Sequence, residues 1–375
     1  MDKTSSHIYV DNDFKAQNLV NTINNLNTND YISIDTEFIR VVTFYPLFSL
    51  LQLKLKDTVY IVDPKAIEIK DVLNAINNTK AFILMFACSE DLEILAYYSR
   101  QNALEKILPD RIYDVQLLCA FANLGYSLGL NSVQYDLLNI EPSEDCSRTD
   151  WEQRPLSYVQ LSYASNDVRY LYDLYCKVKA MIDDAKFSDF KEEMDNIIQD
   201  AIRIIPVDKR YRYIQGSGLL SKEALTRLRY ICMRRYEIAC DKNIALNRII
   251  TNKALCQIAM RCPKSKKELL DVGVKPGCIR QWFDTIVDIV TKAQDLVCDE
   301  NIEIPIDTYM HDGSNKHTIK RLKDLLKRKA IENKIAPELF TSRRYIQDFL
   351  MYKEKSLLVN GWRSKYTGSM QSFLK

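Results

Sequence analysis

Glycine is nearly missing from the first third of this 375-residue chain: the first of its nine glycines is Gly125. A phosphate-cradling loop needs backbone that approaches a phosphate without a Cβ in the way, so the N-terminal region holds neither a P-loop nor a dinucleotide-binding turn. Nucleotide-driven motors and nicotinamide dehydrogenases fall away, and no nucleotide cofactor is expected. Histidine is as scarce, with only His7, His311 and His317. None lies near the acidic motifs described below, so a base or water-positioning group there must be of another type. The ten cysteines include no C-x-x-C pair, and no histidine is placed to complete a zinc site. Scattered cysteines of this kind fit free thiols in a reducing cytosol better than a disulfide framework, and a cytoplasmic location is expected. Long hydrophobic runs are lacking too. The longest uncharged apolar stretch, Val41 to Leu53, is broken by Pro46 and is too short to span a bilayer. The polar N-terminus MDKTSSHIYVDND has no apolar core behind a basic start, so neither a secretory leader nor a membrane partner is expected.

What is present divides in two. The chain is long enough for two or three domains, and 47% hydrophobic content supplies their cores. Its net charge of +2 conceals a polarised distribution. Residues 1–200 hold 18 Lys and Arg against 31 Asp and Glu, whereas residues 201–375 hold 34 against 19. The split is either a chance segregation of surface charge or an acidic, metal-seeking half joined to a basic half able to hold a polyanion.

Periodicity supports the same division. YISIDTEF, FSLLQLKL, TVYIVD and AFILMFA read as strands. Segments near 67–78, 90–106, 111–123, 130–139 and 155–181 read as helices, and the alternation predicts an α/β domain on a mixed sheet over residues 1–200. Residues 186–207 read as an acidic connecting helix ending at a proline-marked junction. Beyond it strand signals vanish. Leucine and isoleucine at three- and four-residue spacing predict helices at 221–240, 252–260, 265–271, 277–295, 317–333, 343–350 and 354–360. VCDENIEIPID (297–307) separates two small all-α domains, 207–295 and 300–375.

The chemistry-bearing residues are acidic. Alternation along YISIDTEF puts Ser33, Asp35 and Glu37 on one face and Ile32, Ile34 and Thr36 on the other. Two carboxylates so placed fit a solvated edge strand or a divalent-metal site. In FACSEDLEIL, Asp91 falls in a helical first turn with Ser89 as a candidate cap, a pattern that capping and the helix dipole also explain. In LSYASNDVRYLYDLY, Tyr163 and Asp167 are four apart and project from one helical face. Asp35, Glu37, Asp91 and Asp167 together offer the hard oxygen ligands that suit a pair of Mg²⁺ or Mn²⁺ ions in phosphodiester hydrolysis. A tyrosine hydroxyl one turn from the last ligand suits the positioning of water better than full proton abstraction.

The order D-x-E, then Asp after a second strand, then Y-x-x-x-D resembles the DEDD exonuclease superfamily in its tyrosine variant. DTEFIRVVTFYPLFSLLQL, SEDLEIL and SRTDWEQRPLSYVQLSYASNDVRYL resemble ribonuclease D through most of residues 8–180. The resemblance implies a ribonuclease H-like fold and removal of single nucleotides from RNA 3′ ends, notably of tRNA precursors, with two divalent metals. It implies Asp35, Glu37, Asp91 and Asp167 as metal ligands and Tyr163 as the water-orienting residue. Where the family often carries a histidine before the second motif, this chain has Phe86. CSRTDWEQRPL (146–156) is similar to a stretch that follows the family's substrate groove, so Asp150, Trp151 and Arg154 are candidates for touching RNA, by stacking or by a phosphate contact. The same segment holds Thr149 and Glu152 at capping-box spacing, which would instead start the next helix. Residues 210–293 resemble an HRDC domain, with Tyr211 where a tryptophan is common and Ala245 where a proline often sits. The last piece, ending LLVNGWRSKYTGSM, resembles the second, more divergent HRDC-like domain of ribonuclease D, with Trp362 expected in its core. Lys316, Lys320, Lys323, Lys327 and Lys334 lie on or near one side of a helix whose other side carries Ile319, Leu322, Leu326 and Ala330. That row is a solvated face or a sequence-blind contact with phosphates. A DNA 3′ exonuclease and an RNA-binding scaffold with a decayed site are the alternatives to an exoribonuclease.

Overall fold

The computed structural model describes residues 7–368; the ends of the N-terminal and GWRSKYTGSM stretches lie outside the described residues. The chain forms two compact units: one from residues up to Ile39, Leu47–Arg203 and Ala330–Leu339, the other from Arg40–Pro46, Ile204–Lys329 and Phe340 onward.

The first unit is built on β1 (His7–Val10), α1 (Asp13–Asn24), β2 (Tyr31–Ile39), β3 (Leu47–Leu55), β4 (Thr58–Val62), α2 (Lys70–Asn77), β5 (Phe82–Met85), α3 (Ser89–Gln101), β6 (Ile112–Asp114), α4 (Val115–Phe121), α5 (Leu130–Leu138), α6 (Tyr158–Arg169), α7 (Leu171–Lys179) and α8 (Asp184–Ile202). The six strands lie in the order β1-β4-β3-β2-β5-β6. β2–β3 and β3–β4 are antiparallel, while β1–β4, β2–β5 and β5–β6 are parallel. The mixed sheet and flanking helices are those the alternation predicts. Two strands escaped it. β1 has four residues and β6 three, and residues 111–123, read as one helix, are β6 followed by α4. Residues 155–181 are likewise two helices, because the chain breaks at Tyr170.

β2 and β3 are nearly continuous runs of buried residues, as central strands covered on both faces must be. α6 packs on β2, β3 and β4, closing a core of Leu50, Val59, Ile61, Cys146, Trp151, Leu156, Ala164 and Val168. Its start is fixed by a capping box: Gln160 N–H donates to Ser157 Oγ at 3.2 Å and Ser157 N–H donates to Gln160 Oε1 at 3.0 Å.

The second unit is helical, as expected. α9 (Lys222–Lys242), α10 (Asn252–Arg261), α11 (Lys266–Asp271) and α12 (Pro276–Gln294) bury Leu228, Ile231, Leu255, Ile258, Trp282 and Ile286. Tyr211 is in the core at 1% exposure, and its hydroxyl donates to Glu303 O at 2.6 Å. The carboxylate of Asp307 accepts from the backbone N–H of Gly216 at 2.7 Å and of Gly218 at 2.9 Å. A Cβ on Gly218 would lie 2.4 Å from Thr308 Cα, so no other residue fits there. α13 (Thr308–His311), α16 (Arg343–Tyr352) and α17 (Ser364–Thr367) belong to the second unit too, while α14 (Asn315–Glu332) and α15 (Glu338–Thr341) are each divided between the units, at Ala330 and Leu339. Residues 354–360, expected as a helix, form only the end of a 3₁₀ turn and a turn-rich segment. On α14, Leu322, Leu326 and Ala330 are buried while Lys316, Lys320 and Lys327 are exposed. Trp362 is buried and meets Phe340 edge-on at 5.3 Å. Among the described residues, no helix is long and apolar enough to cross a membrane.

Candidate active site

Asp35 and Glu37 leave β2 on one face, opposite Gln52 and Leu50 of β3. The pairing slips by one residue between Glu37 and Phe38, so that Ser49 of β3 is extra. A bulge of this kind twists the strand locally and re-aims the side chain beside it. α6 lies across the same strands, and its i, i+4 spacing turns Tyr163 and Asp167 to one side. Each of Asp35, Glu37 and Asp167 offers an oxygen within 4.8 Å of the others. The D-x-E and Y-x-x-x-D motifs therefore meet in space.

Asp91 stands outside that triplet but within its field. It lies in the first turn of α3, 8% exposed, and accepts a 2.5 Å hydrogen bond from Thr36 Oγ1. Ser89 is the first residue of α3 rather than its cap; Cys88 is the cap and its side chain makes no capping bond. The loop ahead of α3 is instead held by Asp114. This buried carboxylate accepts from the N–H of Ala87 (3.0 Å), Cys88 (3.1 Å), Gln116 (2.8 Å) and Leu117 (3.3 Å). It thereby caps α4 and also pins Ala87, whose φ of 57° is unusual for a residue with a Cβ. Asp114 was not singled out from sequence, although an Asp directly before a helical run is a recognisable capping signal.

Charge is concentrated at the triplet. Burial, then Asp167, Asp91 and Glu37, push Asp35 well above the usual carboxylate range. Burial, then Asp167, Asp91 and Asp145, push Glu37 up to about 9. Asp167 is pushed up to about 7 by burial, then by Asp145 and Asp91. Burial raises Asp91 to about 6 against the opposing bond from Thr36. Every charge that moves Asp35, Glu37 and Asp167 is negative. Asp145, exposed in the loop before α6, is a contributor that no periodicity marks. Carboxylates crowded in this way, with oxygen donors only, suit a hard divalent cation. On the same face, Ser33 and Gln52 are buried with polar atoms unpartnered by protein, which fits a site completed by a bound ion. Tyr163 is half-buried beside the cluster, its ring 6.1 Å from that of Trp151.

The structure places Trp151 and Arg154 elsewhere than at an RNA surface. Trp151 is 2% exposed and belongs to the core under α6, so no face is open for stacking. All five N–H donors of Arg154 are engaged: Nε and Nη2 with Asp63 (2.5 and 2.8 Å), Nη2 with Ser49 O, and Nη1 with Trp151 O and Gln153 O. None is left for a phosphate. Asp150 Oδ1 is occupied locally, accepting from Glu152 N–H at 3.0 Å. Thr149 and Glu152 start no helix; Thr149 Oγ1 donates to Cys146 O, and Glu152 accepts from Ser49 Oγ at 2.7 Å and from Lys65. The segment 146–156 is a clasp that docks on the β3 bulge. Burial raises Asp63, and the bonds from Arg154 and Tyr9 outweigh it, leaving the carboxyl below its usual value. Replacing Arg154 with Met strands a carboxylate that is 3% exposed. The expected loss is about 3 kcal/mol in urea unfolding, the low end for a broken buried pair because Arg154 is partly solvated.

Comparison with known proteins matches this division. A family model for 3′-5′ exonuclease domains matches residues 8–183, and one for the HRDC domain matches residues 224–290. The Haemophilus influenzae ribonuclease D is 27% identical over 92% of this chain and 87% of its own. That of Psychromonas ingrahamii is 29% identical over 90% and 92%. The chain carries a 3′-5′ exonuclease domain and an HRDC domain and is similar to ribonucleases D over most of its length. Its fold is also that of the crystal structure of Escherichia coli RNase D, an exoribonuclease involved in structured RNA processing (TM-score 0.82, 24% identity, 98% of each chain). Ribonucleases D are metal-dependent 3′-5′ exoribonucleases with a ribonuclease H-like catalytic domain, and the carboxylate triplet of this chain falls inside its matched exonuclease region.

Proposed function

We propose that this chain belongs to the ribonuclease D family and removes single nucleotides from RNA 3′ ends, tRNA precursors among them, using two Mg²⁺ or Mn²⁺ ions in the cytoplasm. The observation that carries the proposal is the meeting of Asp35, Glu37 and Asp167 within 4.8 Å, from motifs far apart in the chain. Asp35, Glu37, Asp91 and Asp167 would hold the metals. When bound, such ions supply a polarised water and neutralise charge on the leaving oxygen. Tyr163 would orient that water through its hydroxyl. In the metal-free protein burial and then Asp167, Glu37 and Asp35 push its pKa far up, so Oη keeps its proton there and is a hydrogen-bonding group. Ten free cysteines, with no disulfide, favour a reducing compartment. We read the exonuclease domain as residues 1–200, the HRDC domain as 207–295 and a second HRDC-like domain as 300–375. The exposed lysines of α14 are suited to sequence-blind phosphate contact.

The test is 5′-labelled single-stranded RNA and DNA of one sequence, incubated with Mg²⁺ or Mn²⁺. A ladder shortening by one nucleotide from the 3′ side, faster on RNA and absent in chelator, is expected. Equal cutting of circular RNA, or full activity in chelator, would overturn the proposal; faster DNA trimming would reassign the substrate.

A further inference from the structure

Gln52 sits in the middle of β3, directly opposite Asp35 on one side and Ile61 of β4 on the other. Opposed residues of an antiparallel pair project from the same face with Cβ atoms about 4.5–5.5 Å apart. The Gln52 amide therefore shares the face of Ser33, Asp35 and Glu37, beneath α6. It is 0% exposed, and neither Oε1 nor Nε2 has a hydrogen-bonding partner. Ser33, diagonal to it on β2, is also 0% exposed with Oγ unpartnered.

Stability alone does not account for an amide here. On the side away from Asp35 the face is apolar, with Val59 and Ile61 of β4 in one core with Ala164 and Val168. A leucine at this position would extend that core. A buried amide left unpaired is destabilising, and an apolar residue of the same size removes that cost. Gln52 stands at the border between this core and the carboxylates. A carboxylate that binds a metal through one oxygen needs a donor to hold the other, and such donors usually come from the surrounding shell. Among the residues of β3 directly opposed to Asp35 and Glu37, only Gln52 carries one.

We infer that Gln52 is a positioning residue for the metal-binding cluster. With the site loaded, its Nε2–H donates to the Asp35 oxygen turned away from the metal and fixes that carboxylate's orientation. Ser33 Oγ, also unpartnered on the same face, would donate to its Oε1. The inference rests on the metal-site reading above, and it predicts that Gln52 works against the stability of the metal-free protein while favouring metal binding.

The experiment measures both in the full chain. Gln52→Leu and Gln52→Met are compared with wild type by thermal unfolding in chelator and by calorimetric titration with Mn²⁺ alone. Melting at or above the wild-type temperature is expected in chelator, together with Mn²⁺ affinity weaker by about 10–100-fold. If both variants bind Mn²⁺ within about twofold of wild type, well short of that loss, the inference fails while the metal site stands. If both melt well below wild type in chelator, Gln52 is a packing residue and the inference fails. If wild type itself binds no Mn²⁺, the metal-site reading fails first and takes the inference with it.

Discussion

Asp35→Asn should abolish cleavage while making the metal-free protein more stable at neutral and alkaline pH. The substitution keeps the shape but removes the anionic oxygen that a hard cation needs. Loss of a metal ligand removes the activated water and the stabilised leaving group together, so a fall of at least about 10³-fold in single-turnover rate is expected. The stability gain comes from the field at the triplet. In the folded protein Asp35 is raised, Glu37 stands near 9, Asp167 near 7 and Asp91 near 6. All lie above their unfolded values, so the folded state holds more protons than the unfolded one between about pH 4 and pH 9. The metal-free protein is accordingly most stable below that window and loses stability as pH rises through it. Asp35→Asn removes one source of repulsion and should flatten the decline. Melting in chelator from pH 5 to pH 9 checks the sign. A wild-type curve that rises with pH would show that the carboxylates are not crowded as described. Metal must displace the same protons, so Mn²⁺ affinity should climb over the same interval.

Tyr163→Phe should lower the rate by about 10²–10⁴-fold, the usual worth of a positioned acid–base or water-orienting group. The ring and its packing beside Trp151 are kept, and only the hydroxyl is deleted. Binding should barely change, because no metal or phosphate ligand is lost. Single-turnover cleavage at saturating enzyme, with Mn²⁺ titration alongside, makes the measurement. A variant within about twofold of wild type would fall far below the expected effect and reduce Tyr163 to packing.

The fold was largely legible because strands and helices here differ in hydrophobic period. β1 and β6 were not, since four and three residues are too few to show a period of two, and β6 runs straight into α4. Two capping-box patterns competed within residues 149–160, and the second won. A helix started at Thr149 would carry Pro155 in its interior, where the ring removes a hydrogen bond and meets the preceding turn. The triplet could be read from spacing, because alternation on β2 and i, i+4 spacing on α6 dictate which side chains share a face. Trp151 and Arg154 could not. An aromatic and a cation in a loop look alike whether they face a ligand or a clasp, and only the buried Asp63 and the bulge at Ser49 decide it. Gln52 left a trace that went unused: in LFSLLQLKL, Leu50, Gln52 and Lys54 share one side of the strand, so an amide there already broke an apolar face.

Asp114 gives the molecule a dependence that an inventory of ligands would not disclose. One carboxylate decides where α4 begins and how the chain turns into α3, and so where Asp91 stands. A descendant that kept all four cluster acids but lost this one would retain its whole ligand set with one member displaced. Its inheritance would look intact in every motif while its chemistry decayed. In the drift of such a lineage, Asp114 would be as constrained as a catalytic residue without ever meeting the substrate.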